Sequence, residues 1–136
     1  MDINYDDLIG VPFEDGGRSI KGFDCWGLAR ELYRRMGIEI PECTISSEST
    51  HEVALAMKHE FSTKWQRLEI PKKGCLVAIR LQETEWANHC GIVLNHGYFI
   101  HAYCYETGVV VDRLRKWKSR IMGYYWPKEG GALPND

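Results

Sequence analysis

Two strand-forming runs, residues 89–94 and 98–103, are separated only by Asn95-His96-Gly97. So short a linker between apolar runs dictates an antiparallel hairpin closed by a glycine turn. A turn centred near residue 96 sets the register, with Gly91 opposite His101 and His89 opposite Tyr103. His89 and His101 then share one face as diagonal neighbours, about 7–8 Å apart at the backbone, so their rings can meet. A slip of one residue would send one of them to the other face. Gly91, between His89 and Ile92, leaves room for another chain or a substrate to approach closely.

Residues 8–23 contain Gly10, Pro12, Gly16, Gly17 and Gly22 and read as a loop. Residues 24–36 follow as a helix, with Asp24 as N-cap and Gly37 at the left-handed C-terminal position. Cys25, Leu28, Ala29, Leu32 and Met36 fall on its core-facing side, and Arg30, Glu31, Arg34 and Arg35 point outward. A cysteine at a helix start is placed to ionise, because the free N–H groups and the dipole there favour a thiolate. The same N–H groups can hold the oxyanion of a tetrahedral intermediate. With a histidine as base and a second group to orient it, these residues make up a cysteine nucleophile's machinery. Each residue alone has an ordinary structural reading; their conjunction points to catalysis.

The remaining elements complete an α+β domain, with N-terminal helices packed on a central antiparallel sheet. A second helix is predicted over residues 49–61, opened by a capping box of Ser49 and Glu52. Residues 75–79 read as a buried strand after the turn at residues 71–74. A polar connection spans residues 81–88, and further strands cover residues 109–112 and 121–126. Residues 113–120 carry five basic side chains in eight and read as a solvated face with Trp117 turned inward. The stretch from residue 128 reads as a frayed tail of one domain covering residues 1–136.

Composition narrows the function. A net charge of −2 gives no reason to expect nucleic acid, and no run is apolar enough to span a membrane. The acidic start, Met1-Asp2-Ile3-Asn4-Tyr5-Asp6-Asp7, has no signal-peptide pattern, so synthesis in a cytoplasm without a secretion signal is expected. Five cysteines without framework spacing argue against a disulfide scaffold, and Cys43, Cys75, Cys90 and Cys104 read as small buried or half-buried hydrophobes. His89, Cys90, His101 and Cys104 cluster in sequence as zinc ligands might. However, His89 and Cys90 are strand neighbours aimed at opposite faces, so no metal and no other cofactor is expected. His51, His59 and His96 belong to no constellation.

Gly22-Phe23-Asp24-Cys25-Trp26-Gly27-Leu28, Asn88-His89-Cys90-Gly91-Ile92 and Phe99-Ile100-His101-Ala102 together resemble the NlpC-type papain-like cysteine peptidases. The family pattern is an Asp-Cys pair opening a helix, a His-x-Gly-Ile strand, a glycine turn, and a second His-Ala twelve residues after the first histidine. The likeness runs from Gly10 to Pro127. It implies a papain-like fold, with Cys25 as nucleophile, His89 as base and His101 as the orienting member. The implied substrate is a peptidoglycan stem peptide, cut typically after D-glutamate. Asp24, Trp26 and Gly91 are candidate substrate-binding residues beside this triad.

Trp26 stands where many cell-wall members have serine. The Asp-Cys-Trp-Gly-Leu version and the ending Gly123-Tyr124-Tyr125-Trp126-Pro127 resemble the short phage tail-associated branch. That likeness implies a virion component whose partners are tail hub or tail-tip proteins. Phe13 replaces a tyrosine often found upstream of the cysteine, and Gly74-Cys75 replaces a usual Gly-Asp pair. The alternatives are a structural tail-tip or assembly subunit with little or no activity, and an intracellular acyl transferase or deamidase on the same scaffold.

Overall fold

The computed structural model describes residues 3–95 and 97–134, so His96 and its part in the turn lie outside the described residues. A 3-10 turn at Asp6–Leu8 leads into the segment expected to be loop, which carries a small hairpin, β1 (Arg18–Ser19) against β2 (Gly22–Phe23). Then come α1 (Cys25–Arg35), α2 (Thr50–Thr63), β3 (Trp65–Leu68) and β4 (Leu76–Ile79). The hairpin β5 (His89–Asn95) and β6 (Tyr98–Cys104) is followed by β7 (Gly108–Arg113), a 3-10 helix at Leu114–Arg120, and β8 (Ile121–Pro127). The six strands β3 to β8 form one sheet in the order β3-β8-β4-β5-β6-β7, with every pair antiparallel.

Helix α1 begins where the sequence indicates. The Asp24 carboxylate accepts from the Gly27 N–H at 2.7 Å, satisfying one of the helix's free donors. Gly37, at φ +83°, ends it in the left-handed region. Leu28, Ala29, Leu32 and Tyr33 are buried, and the helix lies across β5 and β6. The Tyr33 hydroxyl donates to the Gly74 carbonyl at 2.9 Å, fastening the helix to the entry of β4. All four residues of β4 are buried between β5 and β8, as expected of a central strand.

Two predicted details change. Ser49 is the N-cap of α2, but its side chain accepts no cap hydrogen bond, so no capping box forms, and the helix runs on to Thr63. Strand β3 has no alternation to reveal it: Trp65 and Leu68 are buried while Gln66 and Arg67 are exposed, a spacing of three. It is held instead as an edge partner of β8, with Trp65 packed edge-on against Phe61 of α2 at 5.0 Å. Phe61 also stacks on Tyr125 at 5.0 Å, so α2 and the β3/β8 edge share one aromatic layer. After β8 the chain stays against the core rather than leaving it. Trp126 Nε1 donates to the Gly131 carbonyl at 3.1 Å, and Leu133 packs on the core.

The hairpin has the expected register. Ile92 pairs with Ile100 and Val93 with Phe99, and the same sum places Gly91 opposite His101 and His89 opposite Tyr103. A bulge between Val93 and Asn95 produces it, since Asn95 pairs with Tyr98.

Candidate active site

Cys25 is the first residue of α1, half-buried at the helix N-terminus. By helix geometry the first N–H groups, those of Cys25 and Trp26, have no acceptor within the helix. The Cys25 thiol lies within electrostatic reach of both His89 and Cys90, and each of them lowers its pKa. From His89 the chain of contacts continues inward: His89 Nε2 lies 2.8 Å from His101 Nδ1, and His101 Nε2 lies 2.8 Å from Asp112 Oδ2. His89 is 3% exposed and His101 0%, so the two rings at the centre of the relay are shielded from water, while Cys25 and Asp112 at its ends are half-buried.

The electrostatics favour a thiolate. A hydrogen bond from the Cys90 thiol, followed by the hydrogen bond and charge of His89, holds the Cys25 thiol well below the ordinary thiol range, although burial opposes this. Cys90 moves the other way, pushed up by its bond to Cys25 and by its own burial. Its Sγ also lies 3.7 Å from the Cys25 carbonyl oxygen. Burial and the neighbouring His89 push His101 down to about 3, against the pull of Asp112, so its ring is neutral at ordinary pH.

Of the residues singled out from sequence, Cys25, His89 and His101 are brought together. Asp24, 4% exposed, caps the helix, accepts from Gly16 N at 3.0 Å and pairs with Arg18 at 2.7 Å. Burial and the adjacent Cys25 push its carboxyl up. Trp26 is buried, and its Nε1 donates to the Pro41 carbonyl at 2.8 Å. Asp24, Cys25 and Trp26 all border a cavity of about 340 Å³ that is also lined by Ile45, Val53 and Met57. Gly91 does not line it. A Cβ there would come within 2.7 Å of the Phe99 ring and 2.8 Å of the Ile100 carbonyl, so the space its glycine leaves is filled by β6. Phe13 packs edge-on against Tyr105 at 4.9 Å between ring centroids.

Three participants escape a sequence reading. Cys90 reads as an inert hydrophobe aimed away from His89, yet both side chains reach Cys25. Strand alternation separates their Cβ directions but not their reach to a third residue. Arg18 ties the cavity wall together, bonding Asp24 at 2.7 Å, Glu42 at 2.9 Å and the Cys43 carbonyl at 2.9 Å. The third is Asp112, a lone acid ending an apolar run. Its Oδ2 also accepts from Trp117 Nε1 at 3.3 Å, and its Oδ1 lies 3.4 Å from Lys116 Nζ. Trp117 is turned inward as expected, its ring edge-on to His101 at 5.4 Å. Among the described residues, no group of three or more His, Cys, Asp or Glu is placed to hold a metal ion.

The sequence profile of the NlpC/P60 family matches residues 10–125. The chain is 30% identical over 119 residues to the murein DD-endopeptidase MepS/murein LD-carboxypeptidase of Escherichia coli strain K12. That alignment covers 85% of this chain and 55% of the relative, so the chain spans about half the relative's length. Among solved structures, the NlpC/p60 domain of the peptidoglycan hydrolase SagA superposes with a TM-score of 0.59 at 24% identity, covering 87% of both chains. NlpC1 of Trichomonas vaginalis gives a TM-score of 0.63 at 20% identity, over 88% of this chain and 41% of its own. These superpositions establish the shared fold.

Proposed function

The chain belongs to the NlpC/P60 family, and on that premise we propose that it is a cysteine peptidase or amidase cleaving peptidoglycan stem peptides through Cys25, His89 and His101. The observation that carries this reading is a lowered-pKa thiol at a helix N-terminus bordering a cavity, with His89 acting on it and meeting His101 at 2.8 Å. His89 engages His101 through Nε2, so Nδ1 is the nitrogen left to exchange a proton with Cys25. The Cys25 thiolate attacks the scissile carbonyl, and the N–H groups of Cys25 and Trp26 receive the oxyanion. His89 gives its proton to the departing amine, and a thioester remains on Cys25. A water then loses its proton to His89 and attacks the thioester, releasing the acid and restoring the thiolate.

The name of the E. coli relative couples endopeptidase and carboxypeptidase activities on murein. Stem peptides bearing a D-glutamyl bond and cross-linked peptides bearing a DD bond are therefore the two substrates to compare. Mass spectrometry of each, incubated with the wild type and with Cys25→Ala, tests the proposal. New termini in the wild-type sample alone are expected, whereas identical inert spectra from both proteins would overturn it.

A phage tail setting is a separate reading, supported by the Asp24-Cys25-Trp26-Gly27-Leu28 version of the motif. It is tested by searching purified particles for this chain. The alternative of a structural tail subunit rests on Phe13, which offers no hydroxyl, and is opposed by the intact Cys25, His89 and His101.

A further inference from the structure

We propose that Asp112 is a positioning residue that sets the direction of the whole proton relay, fixing the tautomers of His101 and His89 so that an unprotonated nitrogen faces Cys25. This deepens the proposed cysteine-hydrolase reading and rests on it only for the meaning of the relay, not for its geometry. Hydrogen bonds from His101 and Trp117 and the nearby Lys116 charge hold the Asp112 carboxyl below its ordinary value, although burial acts the other way. An ionised carboxylate can only accept, so the proton in the 2.8 Å bond sits on His101 Nε2. His101 is neutral and has one N–H to place, which leaves Nδ1 bare. That bare Nδ1 can only accept at 2.8 Å, so His89 must present Nε2–H to it. His89 Nδ1 is then free for the Cys25 proton.

The groups that face this relay agree with the assignment. On β5 they are His89 and, beside Cys25, Cys90; on β6, Tyr103, whose ring stacks on His101 at 5.4 Å. From the 3-10 helix come Trp117, donating to the same Asp112 oxygen, and Lys116 beside the other. Asp24 flanks Cys25 from the helix cap. Among these, Asp112 is the only carboxylate in contact with His101.

The placement depends on a register shift. Asp112 pairs with Phe99, which puts it on the face of His101, but Cys104 pairs with Gly108. Carried back unshifted from that last pair, Asp112 would fall opposite Ile100 and face the other way. A bulge between Ala102 and Cys104 supplies the missing residue.

The test uses ¹⁵N-histidine NMR and the pH profile of Cys25 alkylation by iodoacetamide, with Asp112→Asn, Asp112→Ala and Trp117→Phe. In the wild type the His101 ring should carry its proton on Nε2. In both Asp112 variants the two His101 tautomers should mix, and the Cys25 alkylation midpoint should rise. Turnover of a responsive stem peptide should fall about 10- to 100-fold in kcat with little change in KM. Trp117→Phe removes the indole N–H and trims the ring but leaves the Asp112 carboxylate on His101, so it should leave the tautomer and the midpoint in place. The proposal is overturned if His101 keeps a single Nε2–H tautomer and the midpoint stays put in folded Asp112→Asn. A wild type inert on every peptide would count against the hydrolase reading alone, because the tautomer and alkylation readouts judge Asp112 without turnover.

Discussion

His89 Nε2 and His101 Nδ1 meet at 2.8 Å, with the two rings inclined at 60°. The contact commits one nitrogen of each ring, leaving His89 one nitrogen for Cys25 and His101 one for Asp112. The two histidines are therefore not interchangeable: one touches the thiol, and the other acts only through its neighbour.

His89→Ala should abolish turnover, since both proton transfers pass through that ring. His101→Ala should leave a residue of activity, reduced about 100-fold or more, because the base survives without its orientation. Steady-state kinetics on a cleaved stem peptide distinguish them. An essential His101 with a dispensable His89 would reverse the assigned roles.

Cys25 should be alkylated by iodoacetamide faster than the other four cysteines at neutral pH. Its pKa is lowered, so reactivity should persist as the pH drops below the ordinary thiol range and fade only on further acidification. His101 is already neutral there and adds no second inflection. Cys90→Ala removes the leading cause of the lowered pKa and should raise the alkylation midpoint, whereas Cys90→Ser keeps a donor and should raise it less. Peptide-level mass spectrometry after timed labelling reads both effects.

Asp24→Ala should destabilise the fold by about 1–2 kcal/mol in urea unfolding, through loss of the helix cap. Asp24→Asn keeps an oxygen for Gly27 and should cost less. It also removes a negative charge beside Cys25, so the alkylation midpoint should not rise. The folded pKa of Asp24 is raised above its unfolded value, so only the proton-linked part of its contribution is present at low pH and lost as pH rises through the folded pKa, while the cap hydrogen bond persists. The Asn variant should lack that part of the pH dependence.

Gly91→Ala should be disruptive for a side chain of one carbon. Its Cβ would press on the Phe99 ring and on the Ile100 backbone, next to His101. Overpacking of this kind costs about 1–3 kcal/mol. Urea unfolding should show that loss, and turnover should fall with it through displacement of His101.

Much of the site was legible in the chain because its signals are local. A cap, an apolar stripe and a left-handed glycine define α1 within fourteen residues, and they place Cys25 at its start whatever surrounds it. The three-residue linker of the β5/β6 hairpin likewise confines the register, and with it the meeting of His89 and His101. Strand β3 and the failed capping box at Ser49 were not legible, because distant aromatic packing and tertiary fit decide them.

What only the tertiary structure decided is which residues stand behind and beside that pair. Asp112 reaches His101 because a bulge shifts β7 by one residue, and a strand's period of two makes such a shift reverse the face of every side chain. Cys90 reaches Cys25 because α1 begins over the start of β5, a contact spanning 65 positions that no spacing rule encodes. Sequence fixes elements whose energetics are settled within a turn or a hairpin. The register between more distant segments is settled by the packing of the whole sheet, and in this protein that packing sets the direction of the proton relay.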